Sequence, residues 1–198
     1  MKRIFQSLLL AAVTLAACFT FTPALAEDVG GINLESTVTV AGKSLKLNGA
    51  GIRIRVIVKV YALGLYLPEK KDTTAGVLDS VGPRRFAIGM LREINSEELG
   101  QAFMAGITAN TDKAERSKMV AQLGQFGDMF ANQAPLKKGD MLVVDWIPGK
   151  GTDVHLNGKS LGEPLPDLAF YNALLKIWLG DKPVDTSLKP LLLGGKGG

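Results

Sequence analysis

Between Ile52 and Tyr61 the chain alternates: Ile52, Ile54, Val56, Val58 and Val60 fall on one side, and Arg53, Arg55, Ile57, Lys59 and Tyr61 on the other. A period of two sends successive side chains to opposite faces of a pleated strand, so this stretch predicts a strand with one greasy face. No turn residue interrupts Ala62-Leu63-Gly64-Leu65-Tyr66-Leu67. The strand is therefore expected to run on as one long strand or ribbon, with Gly64 marking a bulge or bend and Pro68 ending it. A strand of that length needs partners for its backbone and a layer to cover its apolar side.

Partners are readable on both flanks. Val38 to Ala41 and Leu45 to Leu47 surround Gly42-Lys43 as a short hairpin, after which Asn48-Gly49-Ala50-Gly51 breaks the pattern. Downstream, Arg85 to Leu91 and Met141 to Ile147 read as strands. Pro148-Gly149-Lys150-Gly151 turns the chain into Thr152 to Leu156, and Asn157-Gly158 is a two-residue hairpin signal leading into Lys159-Ser160-Leu161.

The covering layer comes from helices. Thr73 to Leu78 predicts a short one. Asn95 with Glu98 three residues on is a capping arrangement, followed by Leu99, Ala102, Phe103, Gly106 and Ile107 on one face. A second helix is expected from Lys113 to Phe126. Asp167 to Leu179 leaves almost no polar face, which predicts a largely buried helix capped by Gly180. This order gives an α+β fold with an antiparallel sheet and helices packed on one face.

The N-terminus carries an address. Lys2 and Arg3 precede an apolar run to about Phe21, and Ala24-Leu25-Ala26 offers a small-x-small cleavage pattern. Residues 1–26 thus read as a signal peptide, 27–193 as one domain and the glycine-rich 194–198 as a flexible tail, in a periplasmic or secreted protein. Leu15-Ala16-Ala17-Cys18 also resembles a lipobox, and its use would leave the domain anchored to a membrane through an acylated Cys18. The run is short of the ~20 apolar residues of a spanning helix.

Several chemistries are excluded or disfavoured. Cys18 is the only cysteine, so cleavage after Ala26 leaves none for a disulfide, thiolate metal site or nucleophile. The formal charge of +4 counts Lys2 and Arg3, and the rest of the chain is near neutral. Lys70-Lys71, Arg84-Arg85 and Lys137-Lys138 sit beside turns or strand starts, as solvated edges do, so no basic stripe suits a nucleic acid. His155, the single histidine, lies beside a hairpin turn with no Gly-x-Ser-x-Gly elbow for it to serve. Glu97 and Glu98 suit a helix start without acid–base work. The carboxylates are scattered without ligand spacing for a metal. Trp146, Trp178 and the Phe103, Met104, Phe126, Met129 and Phe130 group read as core.

Gly51-Ile52-Arg53 followed by Val58-Lys59-Val60-Tyr61-Ala62-Leu63-Gly64-Leu65-Tyr66-Leu67 resembles the strand motif of the chalcone isomerase superfamily. Ser96-Glu97, Gly139-Asp140 and the closing helix Leu174 to Gly180 extend the resemblance over about residues 36 to 193. It implies an open-faced β-sandwich, in which a cleft between a large sheet and its helices holds a flat or elongated apolar ligand. In the plant enzymes of the superfamily an arginine there steadies a phenolate, while tyrosine, threonine and asparagine organise water and a ketone. Arg53 matches that arginine. The other positions diverge: Tyr61 replaces the threonine, Asn95 the tyrosine, Ala102 the asparagine, and Ile177 a hydroxyl residue.

A guanidinium is a planar fork of donors suited to a carboxylate, and relatives without isomerase activity bind fatty acids at this arginine. The expectation is a binding module without cofactor, holding a small apolar or carboxylate ligand at Arg53 with Tyr61 nearby. The alternative is a cofactor-free isomerase in which Arg53 stabilises an oxyanion and Tyr61 donates a hydrogen bond. A third reading, an interaction protein without a ligand, predicts a filled cleft. Arg55 and Lys59 are expected to be solvated.

Overall fold

The computed structural model describes residues 26–131 and 133–195. Cys18 and the expected signal peptide, apart from Ala26, lie outside them. A small hairpin of β1 (Ala26–Val29) and β2 (Ile32–Glu35) opens the fold. The main sheet is a meander of seven antiparallel strands in sequence order: β3 (Thr37–Val40), β4 (Lys43–Arg55), β5 (Val58–Leu67), β6 (Arg84–Met90), β7 (Met141–Ile147), β8 (Gly151–Leu156) and β9 (Lys159–Ser160).

The long alternating stretch is two strands. The chain reverses at Val56-Ile57, so that Arg55 pairs with Val58 and Arg53 with Tyr61. Apolar alternation passes straight through the turn, with Val56 itself at a positive φ of 61°, so periodicity carries no mark of the reversal. Gly64 is not a bulge. It pairs regularly with Ala50 and Ala87, and it is bare because Leu34 of β2 packs there: a Cβ would stand 2.9 Å from Leu34 Cδ1. The irregularities fall instead at Asn48 and Val60, each left unpaired by a register shift.

Asn48 to Gly51 likewise does not end a strand. These residues continue β4 beneath α6 (Leu188–Leu192), a helix without a strong local signal. A Cβ on Gly49 would collide with the Leu191 carbonyl oxygen, and one on Gly51 would lie 2.7 Å from Leu188 Cδ1. Asn48 clamps the arrangement: its Nδ2 donates to the carbonyls of Lys71 (2.9 Å) and Leu192 (2.7 Å), and its Oδ1 accepts from Lys71 N–H (2.7 Å).

α1 (Thr74–Leu78) precedes β6, and α2 (Ser96–Asn110), α3 (Lys113–Ser117) and α4 (Val120–Ala131) fill the link from β6 to β7. The helix expected over 113–126 is broken at Lys118-Met119. Asp112 and Glu115 close a capping box that starts α3, while Asn95 caps α2 by accepting Glu98 N–H at 3.1 Å. α5 (Leu168–Leu179) is buried over eight of its residues.

Helices therefore cover one face of the sheet, around a core that includes Leu63, Leu65, Phe86, Phe103, Phe126, Phe130, Phe170 and Trp178. The opposite face is sealed by the β1–β2 hairpin, whose Ile32 and Leu34 pack with Leu45, Leu47, Ala62 and Tyr66. At the C-terminus Gly194 and Gly195 hydrogen-bond back to Leu191 and Pro190, closing α6. Among the described residues no helix is long and apolar enough to cross a membrane.

Candidate functional site

The β4–β5 hairpin brings together the two residues singled out in the sequence. Arg53 and Tyr61 are direct cross-strand partners, and the guanidinium carbon of Arg53 stands 5.6 Å from the Tyr61 ring centroid. That is cation–π range. The unpaired Val60 makes the contact possible: with one extra residue in β5, Tyr61 turns to the helix side while Arg53 stays opposite it.

Tyr61 is 3% exposed, and its hydroxyl accepts the indole N–H of Trp178 on α5 at 2.8 Å. Burial pushes this phenol up to about 12, against the opposing pull of Arg53 and the Trp178 bond. It is therefore a neutral group at physiological pH, with one lone pair taken and its own proton free to donate. Arg53 is half-buried, and its Nε is enclosed without a hydrogen-bond partner. A guanidinium N–H closed off from water and left unpaired is costly, and an acceptor placed there would relieve the cost.

Both residues line a cavity of about 70 Å³, together with Val60, Arg55, Arg92 and Glu98 and an apolar wall of Ile94, Leu99 and Ala102. One water needs about 10–15 Å³ of such space, so the cavity suits a carboxylate-sized group and excludes a long chain. Deeper between sheet and helices the room is taken by aromatic rings: Phe103 meets Phe126, Phe130 and Trp178 with centroids 5.6 to 5.9 Å apart, and Phe86 packs tilted against Trp178 at 5.2 Å. The expected cleft is thus closed except at its arginine end.

Residues at the diverged superfamily positions have other occupations. Ala102 presents a methyl to the cavity, Asn95 caps α2, and Ile177 is buried in the core. Arg55 and Lys59 are exposed, although Arg55 also reaches the cavity rim. His155 is half-buried, 3.8 Å from an Asp153 carboxylate oxygen.

A larger cleft of about 410 Å³ lies between the end of α1 and helices α3 and α5. Lys176 and Glu115 on its wall pair with each other at 2.9 Å, and it presents no enclosed unpartnered donor.

The Arg84-Arg85 pair is not the solvated edge its position suggests. Arg85 forms a two-pronged bond with Asp145 on β7, at 2.6 and 2.7 Å. Arg84 is wholly buried on the helix side, with Nη1 donating to the carbonyls of Val77 and Leu78 and to Asn172 Oδ1. Its guanidinium carbon is 5.2 Å from the Tyr171 ring, and its Nε and Nη2 have no partner. An arginine at the first position of a strand carries no local sign of such burial. Arg92, Glu98 and Trp178 were also invisible as site residues, since each joins the site only through packing.

A seven-stranded antiparallel meander with helices on one face and an unpaired arginine at the rim defines an α+β domain of the open-faced sandwich class. This chain belongs to the chalcone isomerase-like family, which it matches over residues 26–194. It is similar in structure to a fatty-acid binding protein of Arabidopsis thaliana, with a TM-score of 0.65 over 86% of this chain and 96% of that one. At 14% identity that likeness is one of fold. Comparison with curated protein sequences finds no match.

Proposed function

We propose that this protein is a non-catalytic binder of an apolar carboxylate such as a fatty acid, with Arg53 as the anchor. The observation that carries the reading is the enclosed, unpartnered Nε of Arg53 at the wall of a carboxylate-sized cavity. The carboxylate accepts from the guanidinium and from the Tyr61 hydroxyl, whose orientation Trp178 holds. The alkyl tail follows the apolar wall of Ile94, Leu99 and Ala102, which requires α2 to shift away from β5 because the cavity has no room for it. Asn95, Ala102 and Ile177 at the diverged positions supply no ketone-polarising set at the cavity, which supports binding over isomerisation.

Titration of delipidated protein with oleate by calorimetry tests this. Arg53→Ala is expected to weaken binding about 10- to 150-fold, the range of a hydrogen bond to a charged group. Unchanged affinity in Arg53→Ala, or cyclisation of a chalcone faster than in buffer, overturns the reading. Export through residues 1–26 belongs to the same proposal. Intact mass of the protein isolated from its host distinguishes a chain starting at Glu27 from one acylated on Cys18.

A further inference from the structure

The tip of the β4–β5 hairpin is apolar and bare. Val56 is 92% exposed and Ile57 88%, with Ile54 and Val58 each at 47%. The other exposed large apolar side chains, Val81, Val120 and Leu168, stand apart in sequence, whereas these four fall within five residues at one hairpin tip. The tip also projects: β5 meets β6 only from Tyr61 onward and β4 meets β3 only up to Lys46, so residues 55–59 form a two-stranded ribbon without a neighbouring strand. Val56 holds this turn with φ 61°, a conformation that β-branched residues avoid and glycine accepts readily.

Charge surrounds the apolar tip. Residues 53–59 contain Arg53, Arg55 and Lys59 and no acid, and Arg92 joins Arg53 and Arg55 at the cavity rim. Among the described residues Arg55, Lys59 and Arg92 form no ion pair. The acids nearby sit at the base of the ribbon. Asp185 is occupied by the backbone N–H groups of Ile54, Ser187 and Leu188, and Glu98 lines the cavity with Glu93 close in sequence to Arg92.

We infer that this hairpin docks on an anionic phospholipid surface, with Val56 and Ile57 entering the headgroup–acyl boundary and Arg55, Lys59 and Arg92 meeting the phosphates. A short apolar wedge ringed by cations is the chemistry such an interface selects. Because the strands behind the tip carry Arg53 and Tyr61, docking places the anchor at the bilayer surface, where an apolar carboxylate would be collected or released. The inference takes its purpose from the ligand reading but is tested without the ligand.

The test is co-sedimentation of the processed protein, its mass showing neither leader nor acyl group, with phosphatidylcholine vesicles with or without phosphatidylglycerol. Binding is expected on the anionic vesicles and is expected to fall with salt. Arg55→Gln with Lys59→Gln should weaken it about fivefold per residue. Val56→Gly with Ile57→Ser should weaken it about tenfold or more while thermal stability holds or rises, since glycine accepts the positive φ. Failure of the parent to bind either vesicle, or equal binding by the Gly-Ser variant, overturns the inference. So does a parent dimer that the Gly-Ser variant converts to monomer, because the tip would then cover a second copy of the chain. Oleate titration without vesicles reads the Arg53 proposal separately.

Discussion

Trp178 Nε1 donates to the Tyr61 hydroxyl at 2.8 Å, so the closing helix is joined to the hairpin that carries the anchor arginine. The two residues are 117 positions apart in the chain. Their bond fixes which way the phenol points and thereby what remains of it for a ligand.

Removing one side of that bond leaves the other buried and unpaired. Tyr61→Phe is expected to cost about 1–3 kcal/mol in urea unfolding, the price of a stranded donor. Trp178→Phe keeps an aromatic ring against Phe86 and Phe103 but leaves a void as well. In a double-mutant cycle the pair should show coupling of about 1 kcal/mol, and additivity would mean that the bond contributes nothing.

All three tyrosines of the chain, Tyr61, Tyr66 and Tyr171, are buried. Burial first of all raises each phenol, Tyr61 and Tyr66 to about 12 and Tyr171 further. The unfolded chain loses these protons near pH ~10, where the folded chain still holds them. Stability is therefore full below about pH 10 and falls as pH rises toward 12, by about 3 kcal/mol per pH unit for the fully enclosed Tyr61 and Tyr171 together. Phenolate absorbance should appear only with loss of structure. Ionisation of two or more tyrosines in a folded protein would contradict the burial.

Asn48 should be among the costliest polar positions to change. Asn48→Ala removes three hydrogen bonds that hold α6 and the segment at Lys71 to the sheet, an expected loss of about 3 kcal/mol. Asn48→Asp keeps the shape but turns a carboxylate toward the carbonyls of Lys71 and Leu192. It should be at least as destabilising near neutrality and should recover in acid, measured by urea midpoint against pH.

Arg84 leads to the opposite expectation. Its charge is buried without a carboxylate, two of its donors are unpaired, and burial lowers the pKa of the guanidinium. Two of its three acceptors have other donors: Val77 O receives Ser80 N–H at 3.3 Å and Leu78 O receives Asn172 Nδ2 at 3.3 Å, while Asn172, whose Oδ1 is the third, is half-buried. Desolvation should outweigh the bonds, so Arg84→Met is expected to be neutral or to stabilise by about 1–4 kcal/mol in urea unfolding. A clear loss would show that the three Nη1 bonds and the Tyr171 stacking win.

Much was legible in the chain because it is local. The strands β6 to β8, the Asn157-Gly158 turn, the Asn95 cap and the buried α5 are each written within a dozen residues, as period, turn chemistry or cap. The Gly-x-Arg strand motif placed Arg53 and with it the family. What packing decides was not legible. Glycines at 49, 51 and 64 read as breaks or bends when they are landing sites for α6 and β2, helpers that carry little signal of their own.

By itself the sequence determined an α+β meander with helices on one face and an arginine at the head of a strand, since propensity and periodicity act between near neighbours. Only the tertiary structure decided that the unbroken apolar alternation folds back at Val56-Ile57. That reversal sets Arg53 against Tyr61, while the packing of helices on the sheet closes the cleft to about 70 Å³ and buries Arg84. Strand pairing and side-chain packing join residues far apart in the chain, and a period of two is the same whether a strand runs on or turns back beside itself.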